Sequence, residues 1–114
     1  MNSKRIDLPA GAVELLVLRS LARRSSHGYG LIQTIREKSD QALALEEGSL
    51  YPALHRMERH GWVCSEWGVS DNGRRAKFYS LTQEGKSRLK TVKRSWEKMT
   101  SAVGLVLGLR ARGV

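Results

Sequence analysis

One short stretch of the chain, residues 48–61, carries side chains suited to hydrogen bonding with the edges of nucleic-acid bases. Its apolar residues Leu50, Leu54 and Met57 are spaced by four and three positions, which predicts a helix with one buried face. The opposite face holds polar and cationic groups, namely Tyr51, His55, Arg56 and Arg59. Such a helix, called the reading helix below, fits the major groove of DNA, although a solvated surface helix shows the same pattern.

Local signals mark both ends of this helix. Ser49 is the expected N-cap, because its hydroxyl can accept a hydrogen bond from a free amide of the first turn. Pro52 is tolerated within that first turn, where its missing N–H is not needed. Gly61 stands where a left-handed residue would end the helix.

The charge of the chain points to a polyanionic partner. Its 114 residues include 20 Lys and Arg against 11 Asp and Glu, a formal net charge of +9. Residues 83–114 carry eight basic and two acidic groups, so most of the excess lies outside the reading helix. Nucleic acid and an acidic membrane surface both fit the total.

The sequence offers little for catalysis or metal binding. It contains no Gly-rich phosphate loop and no nucleophile elbow, and no pair of carboxylates has a supporting histidine. His55 and His60 are five residues apart and do not share a helical face, which argues against a metal site. We therefore expect no enzyme activity, no cofactor and no metal.

The single cysteine, Cys64, excludes an internal disulfide and fits a reducing, cytoplasmic compartment. We expect it to be a buried structural thiol, with a redox sensor as the alternative.

The elements around the reading helix follow the order of a winged helix. A helix over residues 9–23, a turn, and a second helix over residues 27–39 precede it, which is the helix-turn-helix order. Strands over residues 62–67 and 74–81 flank a Gly-rich turn and predict a β-hairpin. A basic hairpin directly after a reading helix is typical of a wing, whose tip can lie along the DNA backbone or dip into the minor groove.

A long helix over residues 83–109, capped by Thr82, is predicted to make a homodimer. Its apolar residues recur at heptad spacing over about three repeats. The first helix is apolar on two sides, which a domain this small can rarely enclose alone. The alternative is that the heptad stripe packs on its own domain. The predicted interface comprises Val13, Leu16, Val17, Leu89, Val92, Trp96, Met99, Val103 and Val106.

Several motifs, taken in order, resemble the PadR-like family of transcriptional regulators over about residues 8–108. They are His27-Gly28-Tyr29-Gly30, Gly48-Ser49-Leu50-Tyr51-Pro52-Ala53-Leu54, Gly61-Trp62, Ser65-Glu66-Trp67-Gly68, Arg74-Arg75-Ala76-Lys77 and Tyr79-Ser80-Leu81-Thr82. The resemblance implies a winged helix-turn-helix dimer, usually a repressor, in which the C-terminal helix makes the dimer. It also implies that Tyr51 faces DNA.

We therefore predict a mainly α fold with a small β-hairpin: a winged helix-turn-helix domain over residues 1–81 and a dimerisation helix over residues 82–114. The expected partner is double-stranded DNA, bound as an inverted repeat. Tyr29 either touches phosphate or lies in the core. The candidate DNA-binding residues are Tyr29, Ser49, Tyr51, Pro52, His55, Arg56, Arg59, Arg74, Arg75 and Lys77.

The role of Trp96 has two readings, and the chain as a whole has two alternative functions. Trp96, in the middle of the heptad stripe, either fills the dimer interface or lines a site for a small flat aromatic effector. A membrane-surface module is disfavoured, because the basic groups of the last helix spread around it instead of lying opposite the apolar stripe. A protein-interaction module without specific DNA binding is disfavoured by the intact outer face of the reading helix.

Overall fold

The computed structural model describes Leu8 and residues 11–109. The elements are α1 (Ala12–Arg23), β1 (Ser26–His27), α2 (Gly28–Lys38), α3 (Glu47–Arg59), β2 (Val63–Val69), β3 (Arg75–Leu81) and α4 (Gln83–Leu107). The predicted fold class, mainly α with a winged hairpin and one long C-terminal helix, is confirmed. The predicted helix start at Pro9 lies outside the described residues.

The sheet has one strand more than the sequence predicts. Its order is β1-β3-β2, and both pairings are antiparallel. Strand β1 is only Ser26 and His27, which pair with Tyr79 and Phe78. The sequence predicts a turn before the second helix, and this prediction was wrong for Ser26. A strand of two residues shows no periodicity in the sequence, because it exists only through its pairing with β3.

Side chains from four elements, α2, α3, β2 and β3, surround α1 and form one hydrophobic core with it. Val17 and Leu18 of α1 are completely buried, and the side chains around them come from α2, α3 and the two long strands, including Leu31, Leu50, Leu54, Met57, Val63 and Tyr79. The prediction that Val17 lies in a dimer interface was wrong, because the side chain is enclosed by its own domain.

Helix α3, the predicted reading helix, begins three residues earlier than expected. Its N-cap position is Glu46, and Ser49 lies inside the first turn, so the prediction that Ser49 caps the helix was wrong. Pro52 consequently lies within the helix instead of in its first turn. An i→i−4 hydrogen bond is absent there, because proline has no N–H to offer the carbonyl four residues earlier.

The end of α3 agrees with the prediction. Gly61 adopts a positive φ of 80°, which a residue with a side chain rarely adopts. The Gly61 N–H donates to the Glu58 carbonyl, and the Trp62 N–H donates to the Met57 carbonyl. This pair of hydrogen bonds is the Schellman arrangement, which satisfies the last carbonyls of a helix.

Helix α4 is joined tightly to the end of α3. Thr82 is its N-cap, as predicted: the hydroxyl accepts from the Gly85 N–H at 3.0 Å and donates to the Gly61 carbonyl at 2.6 Å. Gly85 is buried, and a Cβ there would collide with the Trp62 carbonyl and with the Leu81 side chain.

One ion pair also ties α4 to α1. The Arg88 guanidinium donates to the Glu14 carboxylate at 2.6 Å and lies over the Trp62 ring.

The division of the chain at residues 81 and 82 stays a prediction. None of the helices in the described part of the chain is both long and apolar enough to cross a membrane.

Candidate nucleic-acid interface

The outer face of α3 presents a row of groups that can donate or accept hydrogen bonds. The helix buries Leu50, Ala53, Leu54 and Met57, and this fixes the opposite face toward solvent. All six predicted DNA-facing residues of the helix are exposed: Ser49, Tyr51, Pro52, His55, Arg56 and Arg59. Among the residues that the structure describes, neither Arg56 nor Arg59 has a carboxylate partner. Their guanidinium groups are therefore available to a ligand.

Helix α2 begins beside this face and brings Tyr29 to the surface. The Nδ1 atom of His27 accepts from the Gly30 N–H at 3.0 Å, so a histidine caps the helix. Tyr29 is 59% exposed, so it does not lie in the core. Its hydroxyl is 3.4 Å from the amide nitrogen of Gln33, one turn further along the same face.

Tyr51 holds α3 against the start of α2. A Cβ at Gly28 would collide with the Tyr51 hydroxyl and ring, so the two helices approach this closely only because residue 28 is glycine. Partial burial, followed by the nearby Glu47 carboxylate, raises the pKa of Tyr51 above its usual value of 10.0. The side chain thus stays neutral at physiological pH and keeps its hydroxyl proton as a donor.

Hydrogen bonds fix the turn of the wing, which precedes the cations of β3. The Ser70 N–H donates to the Arg74 carbonyl at 2.8 Å, the Gly73 N–H donates back to Ser70, and Gly73 has a φ of 82°. The Asn72 side-chain oxygen accepts from the Arg74 N–H at 3.2 Å. Beyond this turn, Arg75 and Lys77 share one face of β3, as the alternation predicts.

A cleft of about 470 Å³ separates the start of α2 from the tip of the wing. It is lined by Tyr29 and Gln33 on one side and by Asn72, Arg74 and Arg75 on the other. The cleft thus gathers a phenol, two amides and two guanidinium groups beside one carboxylate, that of Asp71. The hydrogen-bond donors among these groups are chemically suited to a phosphodiester backbone.

The structure thus arranges the predicted residues as two groups. Tyr29 joins the wing residues Arg74 and Arg75 around the cleft, whereas the remaining helix residues form the outer face of α3. Lys77 lies further along β3 and is half-buried. Sequence reasoning missed Gln33, although it follows Tyr29 by four residues on a predicted helix and so had to share its face.

Sequence reasoning also missed Trp67 on the wing. This side chain is 58% exposed and stands directly opposite Lys77. The register of the hairpin, once its turn is located, would have placed the two side by side.

Cys64 is exposed, so the prediction of a buried structural thiol was wrong. It stands on the face of β2 opposite to Val63, whose side chain takes the core position.

Comparison with known proteins identifies the family. The sequence profile of the transcriptional regulator PadR-like family matches residues 17–91, well over half of the chain. The chain belongs to this family. Similar proteins include a transcriptional regulator of Mycobacterium tuberculosis that is 36% identical over 97 residues, covering 85% of this chain and 87% of that protein.

Solved structures of other proteins share the fold. A PadR family transcription regulator from Clostridium difficile is 31% identical, with a TM-score of 0.73 over 85% of this chain and 99% of that one. A protein of Streptococcus mutans is 27% identical, with a TM-score of 0.78 over 96% of this chain and 99% of that one. The protein is thus a PadR-like transcriptional regulator with a winged-helix DNA-binding fold, and its family and structural neighbours are regulators, not enzymes.

The second half of α4 is apolar and uncovered within one chain. Met99, Val103 and Val106 are all exposed, the last of them at 86%. Val92 and Trp96 are half-buried, whereas Leu89 already packs partly against the core, as Val13 and Leu16 do. The predicted stripe is therefore open to a partner mainly from Val92 onward.

Proposed function

We propose that this PadR-like regulator is a repressor that binds an inverted-repeat operator as a homodimer. In each subunit, the outer face of α3 enters the major groove and the wing follows the backbone. The observation that carries this proposal is the exposed outer face of α3, which lies against the start of α2 and whose arginines have no carboxylate partner among the described residues.

The roles within this surface follow from side-chain chemistry. We assign base reading to Arg56, because a guanidinium can donate two parallel hydrogen bonds to guanine, with His55 and Arg59 as further base or backbone contacts. Phosphate contacts fall to Tyr29, Ser49, Tyr51 and the wing cations Arg74, Arg75 and Lys77. Pro52 contributes a flat apolar surface beside them.

The dimer is proposed to form through α4. At 1.5 Å per residue its 25 residues extend for about 38 Å, well beyond the core that its first turns cover. A monomer would leave the stripe from Val92 to Val106 in water, and a second copy packed along it would bury these side chains. Val13 and Leu16 of α1 lie at the edge of the same interface in this arrangement.

Trp96 is proposed to pack in the middle of that interface, near the two-fold axis. Trp96→Ala then leaves a cavity and weakens the dimer by about 3 kcal/mol. The alternative role, a site for a flat aromatic effector, predicts that the variant dimer survives while quenching of the protein's fluorescence by planar dyes disappears. Sedimentation across protein concentrations, combined with a dye titration, separates the two.

The experiment that tests the proposed function uses the full chain and genomic duplex fragments. Footprinting should protect two symmetric half-sites about one helical turn apart, or a multiple of it, and transcription from the adjacent promoter should fall when the protein is added. Protection of one asymmetric half-site at full affinity would contradict the dimer, and rising transcription would contradict repression.

A further inference from the structure

The wing carries an aromatic side chain that neither core packing nor a hydrogen bond accounts for. Trp67 lies in the middle of β2 and is 58% exposed. In the antiparallel register it stands directly opposite Lys77, and Arg75 lies diagonally across from it. Side chains at such positions are close enough to interact across a hairpin.

Both cations lie against the indole ring. The guanidinium carbon of Arg75 is 4.4 Å from the ring centroid, and the Lys77 Nζ atom is 6.0 Å from it. These distances fall within the range of cation–π attraction, for which tryptophan is the best acceptor. Among the residues that the structure describes, neither cation has a carboxylate within ion-pair distance, so the ring is the group that restrains them.

This cluster lies on the side of the hairpin that faces α3. Ser65, two residues before Trp67 on the same face of β2, donates a hydrogen bond to the Glu58 carboxylate of α3 at 2.7 Å. Tyr79, opposite Ser65, is buried in the core. Moving outward along the strands, the same face leaves the core at Trp67 and Lys77.

We propose that Trp67 is a positioning residue for the wing cations: its ring holds Arg75 and Lys77 extended and close together before DNA arrives. Long cationic side chains lose rotamer freedom when they bind phosphate, and a side chain that is already restrained loses less. The inference rests on the proposed DNA-binding function. It assigns Trp67 a sequence-independent role, because the two cations that it positions contact phosphate and not bases.

The test measures duplex binding by four single variants at constant salt. Trp67→Ala should weaken binding to operator and scrambled duplex alike by about 3- to 10-fold. Trp67→Phe should recover most of the affinity because it keeps a π face, whereas Trp67→Leu should behave like Trp67→Ala. Val69→Ala is the matched control, since it shortens an exposed apolar side chain on the same face of the same strand without removing a ring.

A double-mutant cycle separates positioning from direct contact. In an Arg75→Ala/Lys77→Ala background, Trp67→Ala should change the affinity less than about 2-fold, because the groups that it positions are gone. A loss that persists there would show that Trp67 touches DNA itself and would overturn the inference, as would full recovery by Trp67→Leu. If wild-type protein binds neither duplex even at low salt, the proposed function fails as well, whereas tight wild-type binding with an unaffected Trp67→Ala defeats the inference alone.

Discussion

Two regions of the molecule differ in how complete they are within one chain. One is the surface proposed to bind DNA, called the DNA-facing surface here and formed by the outer face of α3, the start of α2 and the wing. The other is the second half of α4. The outer face of α3 is held by four buried residues beneath it, a Schellman turn at its end and the Tyr51 contact with α2. In α4, Met99, Val103 and Val106 have little of their own chain against them. The first region needs only its ligand, whereas the second lacks the packing partner that an apolar stripe requires. We therefore expect mutations in the first region to leave assembly intact.

The largest effect should come from charging the open stripe. Met99→Glu/Val103→Glu places carboxylates where we propose a second α4, so the protein should become monomeric. Operator affinity should fall by about 100-fold or more, because binding of the second half-site is no longer linked to the first. Sedimentation and gel-shift titration measure the two effects.

The matched control is Thr91→Glu/Ser101→Glu, which adds the same charge at exposed positions of α4 away from the stripe. It should leave the dimer intact. A charged-stripe variant that remains dimeric would place the interface elsewhere.

The junction between the two regions should be next in sensitivity. Gly85→Ala forces a methyl group against the Trp62 carbonyl and the Leu81 side chain, and we expect a loss of about 3 kcal/mol in the free energy of unfolding. Gly48→Ala, in a helix with open space around it, should instead stabilise the protein by about 0.5–1 kcal/mol. Chemical denaturation of both variants measures this contrast, and equal stability would contradict the close approach at Gly85.

Within the DNA-facing surface, the reading helix and the wing should respond differently. Arg56→Ala should weaken operator binding by about 1–3 kcal/mol and relax the choice of sequence. Arg75→Ala should weaken binding to every duplex alike and lower the salt slope by about one unit. Gel-shift titrations at several salt concentrations measure both, and equal losses on operator and scrambled duplex for Arg56→Ala would remove its base-reading role.

The smallest effect concerns alkaline pH. Burial raises the pKa of Tyr51 and Tyr79 above 10.0, with additional contributions from Glu47 for the first and from Glu58 and then Tyr51 for the second. The unfolded chain then loses these protons first, so the stabilisation is complete below about pH 10 and declines above it. Between about pH 8 and 11, the free energy of unfolding of Tyr51→Phe and of Tyr79→Phe should decline less steeply than that of the wild type, measured at one ionic strength. Parallel curves would contradict the assignment.

The sequence predicts features that local chemistry determines. The heptad stripe, the glycine that ends α3 and the Thr82 cap are all read from residue types at fixed spacing, and the structure contains each of them. The family motifs likewise identify the winged-helix fold correctly. These signals depend only on neighbours along the chain.

Features that depend on distant partners were missed. Strand β1 exists because β3 pairs with it, and the Glu14–Arg88 ion pair joins residues 74 positions apart. The burial of Val17 and the exposure of Cys64 depend on which face of an element meets the core, and amphipathic spacing alone did not decide either. The N-cap of α3 at Glu46, three residues before Ser49, was also missed, because a residue type favoured at N-caps does not by itself fix where a helix begins.

The Thr82 hydroxyl bonds to both Gly61 and Gly85 and so fixes the start of α4 to the residue that ends α3. The other end of α4 carries the open apolar stripe. A displacement of about 3 Å at the far end of a helix about 38 Å long corresponds to a rotation of about 5° at this joint. In the proposed dimer, such a rotation would alter the distance between the two reading helices while every domain stays folded.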